Sequence, residues 1–450
     1  MKVRNIIILS VTFSILITIT GLVIYDSFIN RPVVIFEESQ SPKNINFTNT
    51  SKFTNIPSFK HAISKIIKSV VYIRVIRKND DGELSFDVGS GFAILPTGEI
   101  VTNEHVIHDA EKIMVTDYQN KEYDAKLIGA DIGSDIAVIK VNGQNMSFVF
   151  FGNSDLLGVG DWIAEIGSPF KLRNSVTVGV ISALHRSLDK SNRTLDSYIQ
   201  TDALANPGNS GGVLLDQEGK LIGMVTSKLS DNTDIQGFSF AIPSNVVKKS
   251  AFDIINFGGV QKAYAGMAVI DNIGEGALVE SVRKNGAAFN SGVRKGDVIT
   301  NIEDIKLCCS AQLTEKIAQY NPGDSVRVIL QRADEVLEKI LILRNNLNTE
   351  DLIVNRKDEI LLDYGLILRD LTNEEKKSGN SGVYIVSIIK NSVSDEVNLE
   401  PGFFIKEVNG IQVNSVDEFI KTITNSQGQF VLNGYYKSYP GEFKYVLEKR

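Results

Sequence analysis

Between residues 70 and 242 the chain is a succession of short β-rich runs, and this texture limits the fold more than any other feature. The runs cover 70–76, 90–95, 112–116, 135–141, 161–166, 175–181, 213–215, 220–226 and 238–242, with Gly, Asn and Asp turns between them. Many short strands at this spacing predict an antiparallel barrel or sandwich and argue against alternating strand–helix units. The stretch holds roughly 170 residues, room for two small barrels. Residues 244–257 read as a helix, with Ser244 as N-cap, Val246, Val247, Ala251, Ile254 and Ile255 apolar, and Gly258 and Gly259 ending it.

Downstream the texture repeats. One segment holds Gly266-Met267-Ala268-Val269, a strand over 277–282, Gly296-Asp297-Val298-Ile299 and a helical stretch over 310–319. A second holds Gly365-Leu366-Ile367-Leu368, a strand over 382–389, Gly402-Phe403-Phe404-Ile405 and a helical stretch over 415–422. This is an internal duplication of a unit of roughly 85 residues.

Upstream, residues 6–25 carry no charge and follow Lys2 and Arg4. As a helix those residues would span about 30 Å, the thickness of a bilayer core, with the basic residues left on the cytoplasmic side. A cleaved signal peptide is the competing reading. The long apolar run, and the lack of any alanine before Ala62, favour an uncleaved anchor. Residues 30–58, polar and containing Pro32, Pro42 and Pro57, read as a linker. At 450 residues the chain has room for about three domains. A formal net charge of −7 gives no footprint for a nucleic-acid partner. Cys308 and Cys309 are adjacent, which excludes a disulfide scaffold and a cysteine-based metal site; they read as buried small hydrophobes.

Pro207-Gly208-Asn209-Ser210-Gly211-Gly212 is the densest motif in the chain. A serine hydroxyl is a poor nucleophile until a base takes its proton. Flanking glycines permit a sharp turn that exposes Oγ and aims backbone N–H groups at one point, as a tetrahedral oxyanion requires. A Gly-rich hairpin is the competing reading, so a base is needed. Of four histidines, His61 and His185 lie in polar, unpatterned surroundings, and His108 beside Asp109 reads as a solvated turn residue. His105 sits at a strand end, where an imidazole is held rigidly. Asp135 heads the apolar run Ile136-Ala137-Val138-Ile139 and is the candidate to orient it; Asp131 is the nearest rival. The order His105, Asp135, Ser210 is that of the chymotrypsin-type double barrel, not that of subtilisins or α/β-hydrolases. No phosphate-cradling loop or metal-ligand cluster stands out, so hydrolysis without ATP, cofactor or metal is expected.

Thr102-Asn103-Glu104-His105-Val106, Ser134-Asp135-Ile136-Ala137-Val138 and Gly208-Asn209-Ser210-Gly211-Gly212 resemble the three catalytic motifs of the HtrA (Deg/Do) serine proteases. Gly167-Ser168-Pro169-Phe170 and Phe240-Ala241-Ile242-Pro243 resemble family segments outside them. The resemblance covers nearly all of the chain after residue 59. It implies a mainly β fold: a chymotrypsin-like double β-barrel over 59–258, then PDZ domains over 262–346 and 359–450. Ahead of these stand an N-terminal transmembrane helix within 1–30 and the linker over 31–58. It implies His105 as general base, Asp135 as its orienter and Ser210 as nucleophile, with an oxyanion hole from the backbone N–H groups of Gly208, Asn209 and Ser210. Val213 departs from the pattern, where proline is common. So does the short loop over 78–87, on which large cage assemblies depend. By resemblance the base of the primary pocket is Leu204, beside Ala203 and Ala205, which points to cleavage after small or medium aliphatic residues. Core packing of Leu204 is the alternative.

Each repeat implies β-augmentation, in which a peptide adds as a strand and its terminal carboxylate is held by backbone amides. The holding loops would be at Gly266 and Met267 in the first repeat and at Gly365 and Leu366 in the second, where Phe403 replaces the expected acid. A spacer role for both is the alternative. The charge run 374–377 reads as a solvated helix face. The apolar N-terminal run and the resemblance together imply an exported endopeptidase acting on misfolded or exposed protein segments, anchored on the periplasmic side of the inner membrane, or periplasmic if the N-terminal segment is cleaved; by resemblance it works as a homotrimer. A regulatory protease cutting one membrane signalling protein, and a non-catalytic chaperone or PDZ scaffold, are the alternatives.

Overall fold

The computed structural model describes residues 58–78, 83–143, 145–169, 174–188, 196–204, 206–226, 237–356, 358–389, 392–426 and 428–448. The expected anchor, nearly all of the linker, residues 79–82, Phe170 and Ala205 lie outside the described residues. Among the described residues no helix is long and apolar enough to cross a membrane. Pro57–Arg450 forms one compact unit.

Its first layer is a pair of barrels. β1 (Val70–Lys78), β2 (Leu84–Ala93), β3 (Glu99–Thr102), β4 (Lys112–Thr116), β5 (Glu122–Asp131) and β6 (Ile136–Val141) close in the order β1-β2-β3-β6-β5-β4. Side chains alternate along a strand, so β6 divides its apolar run between two cores. Ala137 and Ile139 fill the barrel with Ile73, Ile100 and Val115, while Ile136 and Val138 face outward.

The second barrel, β7 (Trp162–Gly167), β8 (Ser175–Arg186), β9 (Tyr198–Thr201), β10 (Val213–Leu215), β11 (Leu221–Thr226) and β12 (Ser239–Pro243), closes as β10-β11-β12-β9-β8-β7. Leu214 points inward, and Val213 and Leu215 point out to meet Ile136 and Val138 between the barrels. Closure leaves neither barrel an open edge, and the inter-barrel core is where the two units are joined.

Among the described residues three α-helices attach to the pair: α1 (Lys60–Ile66), α2 (Glu104–Ile107) and α3 (Ser244–Phe257). Helix α3 buries Val246, Val247, Ala251 and Ile254 against Phe92, Ile166 and Met224. It ends at Gly258, whose φ of 72° is the left-handed conformation that a C-cap glycine adopts freely. Its start differs from expectation. Pro243 occupies the cap position, and the Ser244 hydroxyl donates to the Gly152 carbonyl at 3.0 Å, tying the helix to a loop instead of capping it.

The duplication is present as two sheets with the same strand order. The first contains β13 (Met267–Asp271), β14 (Ala277–Val282), β15 (Val298–Ile302), β16 (Ile305–Lys306), β17 (Ser325–Arg332) and β18 (Glu335–Ile342), with helix α4 (Ser310–Ile317). The second contains β19 (Leu366–Asp370), β20 (Val383–Ile388), β21 (Phe403–Val408), β22 (Ile411–Gln412), β23 (Gln429–Tyr436) and β24 (Phe443–Glu448). With it come α5 (Asn373–Lys377) and α6 (Val416–Thr424).

Phe403 explains how the second repeat manages without the acid. In the first, buried Asp297 accepts from the Arg294 amide at 2.8 Å and from Arg332 at 2.7 and 2.8 Å. At the matching cross-strand position Phe403 pairs with Tyr436, ring centroids 4.9 Å apart, and packs edge-on against Tyr445 at 5.3 Å. A charged clasp in one copy is an aromatic clasp in the other.

Two expectations are corrected. The run 374–377 is not simply a solvated face: Glu375 is buried, closes a capping box with Thr372 and takes two hydrogen bonds from Arg369 at 2.7 and 2.8 Å. Cys308 is exposed and Cys309 partly so, because the turn before α4 carries them to the surface. Phe403→Ala should destabilise the second repeat by about 3–5 kcal/mol, the usual cost of truncating a fully buried ring, read as an earlier transition for that repeat in urea unfolding.

Candidate active site

Asp135 and His105 come together at the end of the first barrel. Asp135 ends the turn between β5 and β6 with a φ of 56°, a left-handed backbone that a non-glycine residue adopts only where its surroundings hold it. They do so from several sides. The Asp135 carbonyl accepts from the Glu104 amide at 3.2 Å and from Asn103 Nδ2 at 3.1 Å. Its buried carboxylate accepts from the His105 amide at 3.0 Å, and both oxygens lie 2.9 Å from His105 Nδ1. Thr226 Oγ1, from the end of β11 in the second barrel, donates to Oδ2 at 3.1 Å. A carboxylate facing Nδ1 holds the proton on that nitrogen and leaves Nε2 as the acceptor. Asp131, the rival acid, is engaged elsewhere: it accepts from the Ser134 amide and hydroxyl and pairs with Lys262 at 2.6 Å.

Ser210 lies in a buried turn between β9 and β10. The Ser90 amide donates to its carbonyl at 2.8 Å, and Gly211 and Gly212 exchange backbone hydrogen bonds with Val225, both 2.9 Å, next to the Thr226 that holds Asp135. A Cβ placed on Gly89 would fall 3.3 Å from the Ser210 carbonyl oxygen and 2.6 Å from Val106, the residue after His105. The histidine segment and the serine turn therefore flank the same stretch of β2. Gly211 has φ +83° and no room for a side chain, since a Cβ there would overlap the Ser90 carbonyl oxygen. The Ser90 hydroxyl donates to the Gly208 carbonyl at 2.7 Å and accepts from the Ser168 amide at 2.8 Å, so one side chain ties three segments.

Several sequence expectations change here. The Asn209 amide donates to the Asn206 carbonyl at 2.9 Å, so it is spent within the turn and is not an oxyanion donor. Its side chain instead reaches into the second barrel and donates to Glu165 Oε1 at 2.9 Å. Burial pushes the Glu165 carboxyl up to about 7, opposed only in part by that hydrogen bond. Glu165 and Thr226 were not foreseen. A lone acid within Ile163-Ala164-Glu165-Ile166 was the legible signal for the first, and Thr226 carries none. Leu204 is 55 % exposed, so its side chain neither packs in the core nor floors a closed pocket. His185, read as unpatterned, lies 2.8 Å from Glu315 on α4 and joins the first repeat to the second barrel.

The peptide-holding loops differ between the repeats. Gly266, Met267 and Val269 line a cavity of about 630 Å³, together with Ile317 of α4 and with Asp131 and Ser134 from the Asp135 turn. In the second repeat Leu366 is buried in the core, and a Cβ on Gly365 would overlap Ser392. The outer edge of β19 is also taken. Arg356 pairs with Leu368 there, its amide donating at 2.6 Å, and its guanidinium reaches Asp417 on α6 at 2.9 Å.

Two closed six-stranded barrels, a histidine and an aspartate in contact on the first and a glycine-flanked serine at the second, define a trypsin-like serine peptidase. Residues 89–224 match the family described as Trypsin-like peptidase domain, and residues 255–342 match PDZ domain. The chain is 35% identical over 364 residues to a probable periplasmic serine endoprotease, DegP-like, of Chlamydia muridarum, covering 76% of this chain and 71% of that protein. It is 31% identical over 401 residues to the periplasmic pH-dependent serine endoprotease DegQ of Escherichia coli, covering 82% of this chain and 87% of that one. A solved HtrA-type protease, AlgW with a tripeptide, is 30% identical and aligns with 64% of this chain and 97% of its own, at a TM-score of 0.51. The chain belongs to the HtrA (DegP-like) family and is a serine endopeptidase.

Ser90→Ala leaves the buried Ser168 amide without its acceptor and the Gly208 carbonyl without a donor. A loss of about 1–3 kcal/mol is expected, measurable as a lowered denaturation midpoint of the barrel pair.

Proposed function

We propose that Ser210 is the nucleophile, His105 the general base and Asp135 the residue that orients it, in an acyl-enzyme mechanism. The observation that carries this reading is the Asp135 carboxylate within 2.9 Å of His105 Nδ1, which turns Nε2 into a proton acceptor. Ser210 gives its proton to Nε2 as Oγ attacks the peptide carbonyl. The imidazolium then protonates the leaving amine, and water repeats the sequence to release the acyl group. With the Asn209 amide committed to the turn, the amides of Gly208 and Ser210 are the donors proposed for the oxyanion. The substrates proposed are misfolded or exposed protein segments outside the cytoplasm, on the family resemblance; with Leu204 exposed, the preference for aliphatic residues before the cut is left without its pocket floor. The second sheet is proposed as a further PDZ domain, a reading its matching strand order supports. Assembly as a homotrimer and anchoring through residues 1–30 complete the proposal, on the family resemblance and the apolar N-terminal run.

The full chain in detergent should digest unfolded casein without ATP, and Ser210→Ala should not. Asp135→Asn should retain the fold and lose about 10⁴-fold in kcat, because the wrong tautomer faces Ser210. Equal digestion by wild type and Ser210→Ala would leave only the scaffold reading.

The first repeat is proposed as the site for C-terminal peptides, since β13 borders the cavity with its Gly266 loop and the second repeat's edge is occupied by its own chain. Ile317→Glu should therefore abolish binding of a fluorescent C-terminal peptide by the whole protein. Undiminished binding would move the site to the second repeat and require Arg356 to leave β19.

A further inference from the structure

Glu165 stands inside the second barrel, where among the described residues no cation pairs with it. It shares the inward face of β7 with Ile163 and Gly167, and its cross-strand partners are Thr177 on β8 and Leu214 on β10. The interior positions from the six strands, Ile163, Ile181, Ile199, Leu214, Ile222 and Ala241, contain no ionisable group. The turn 206–212 contains none either. Asp202, just after β9, is exposed and accepts from the Val180 amide at 2.7 Å.

Above this apolar layer the Asn209 side chain lies across Gly167, where a Cβ would fall 2.5 Å from Oδ1. Its Nδ2 donates to Glu165 Oε1, and both residues are almost wholly buried, 2 % and 1 % exposed. Two acceptors are then left over: Glu165 Oε2 and Asn209 Oδ1 are both buried without a partner among the described residues. A carboxylate has no donor to offer, whereas a carboxylic acid has one. One proton on Glu165 thus removes the charge from the barrel and supplies the O–H that the amide oxygen lacks.

We propose that Glu165 is a positioning residue of the nucleophile turn, which as a neutral acid pairs with the Asn209 side chain and so holds Gly208 and Ser210 in their reactive arrangement. The inference rests on the nucleophile role given to Ser210 above. Asn209 is the residue between the two proposed oxyanion donors, so whatever fixes its side chain fixes the direction of their N–H groups. Since burial raises the carboxyl to about 7, the proton is held in mildly acidic solution and lost above neutrality. Ionisation then sets a carboxylate against the Asn209 carbonyl oxygen, and the pair loosens. The sign for stability follows. The folded state binds this proton more tightly than the unfolded chain, so the contribution is full below the carboxyl's ordinary value and is lost as pH rises to about 7.

The test compares the full chain with E165Q and E165A, following casein hydrolysis and thermal melting from pH 5.5 to 9. A glutamine amide pairs with Asn209 at every pH. The kcat ratio of E165Q to wild type should therefore rise roughly tenfold between pH 6 and 8.5, as the wild-type acid ionises. The Tm of E165Q should pull above that of wild type over the same interval, towards a plateau. E165A should lower kcat by roughly tenfold to a hundredfold with little change in KM, as a misplaced reactive group does. A flat kcat ratio with a shifting Tm would reduce Glu165 to a structural role and overturn the inference. So would an E165A enzyme as fast as wild type. A wild type that cleaves nothing would sink the nucleophile reading of Ser210 itself, and the positioning role with it, whatever the melting curves show.

Discussion

The Asp135 carboxylate is the point on which the rest of the site depends. A buried anion is expensive unless donors surround it, and this one draws three from two barrels: the His105 amide, the His105 ring and the Thr226 hydroxyl. Those bonds do more than offset desolvation. They hold Asp135 in a left-handed backbone, fix the tautomer of the histidine, and bind the end of β11 to the turn before β6. Because Gly211 and Gly212 are themselves laced to Val225, the serine turn inherits its position from the same strand. The geometry of the site is thus a property of the inter-barrel interface, and neither barrel alone contains it.

The polar groups buried around that interface divide into two kinds. Ser90 is fully used, joining the Gly208 carbonyl, the Ser168 amide and the β2 backbone. Glu165 and Asn209 are not, and the mismatch lies directly beneath the residue that separates the proposed oxyanion donors. A barrel interior that is otherwise apolar tolerates an acid there only if the acid is neutral and paired. Stability and reactivity then draw on the same proton.

The two repeats show one sheet put to different ends. In the first, α4 works on two faces. Ile317 lines the cavity beside β13, while Glu315 and Lys316 are buried against His185 and Asp155 of the protease barrel. The cavity is walled on its far side by Asp131 and Ser134, four residues and one residue before Asp135. An occupant of the cavity would touch the turn that carries the aspartate. In the second repeat, Arg356 closes the edge of β19 and bridges to α6, and the aromatic clasp of Phe403 and Tyr436 stands where the first repeat has Asp297 and Arg332. Loss of the acid after Gly402 did not cost the fold, because aromatic packing replaced a buried ion pair at the same cross-strand position.

Local pattern was enough for nine of the twelve barrel strands, with β3, β5 and β9 left unread, for the duplication and for singling out His105 and Asp135, which meet, since alternation, turn residues and motif spacing are written in neighbouring positions. It was also enough to single out the Gly-rich turn, because only glycine accepts the backbone that Gly211 adopts. What neighbours cannot encode is which groups meet across the fold. Thr226 reaches Asp135 across 91 residues, Asn209 turns inward to Glu165, its amide is consumed by Asn206, and Arg356 caps a strand edge that the sequence of β19 alone presents as open. Each depends on long-range closure of a barrel or sheet, where the deciding term is the desolvation of a polar group and the partner that tertiary packing happens to bring to it.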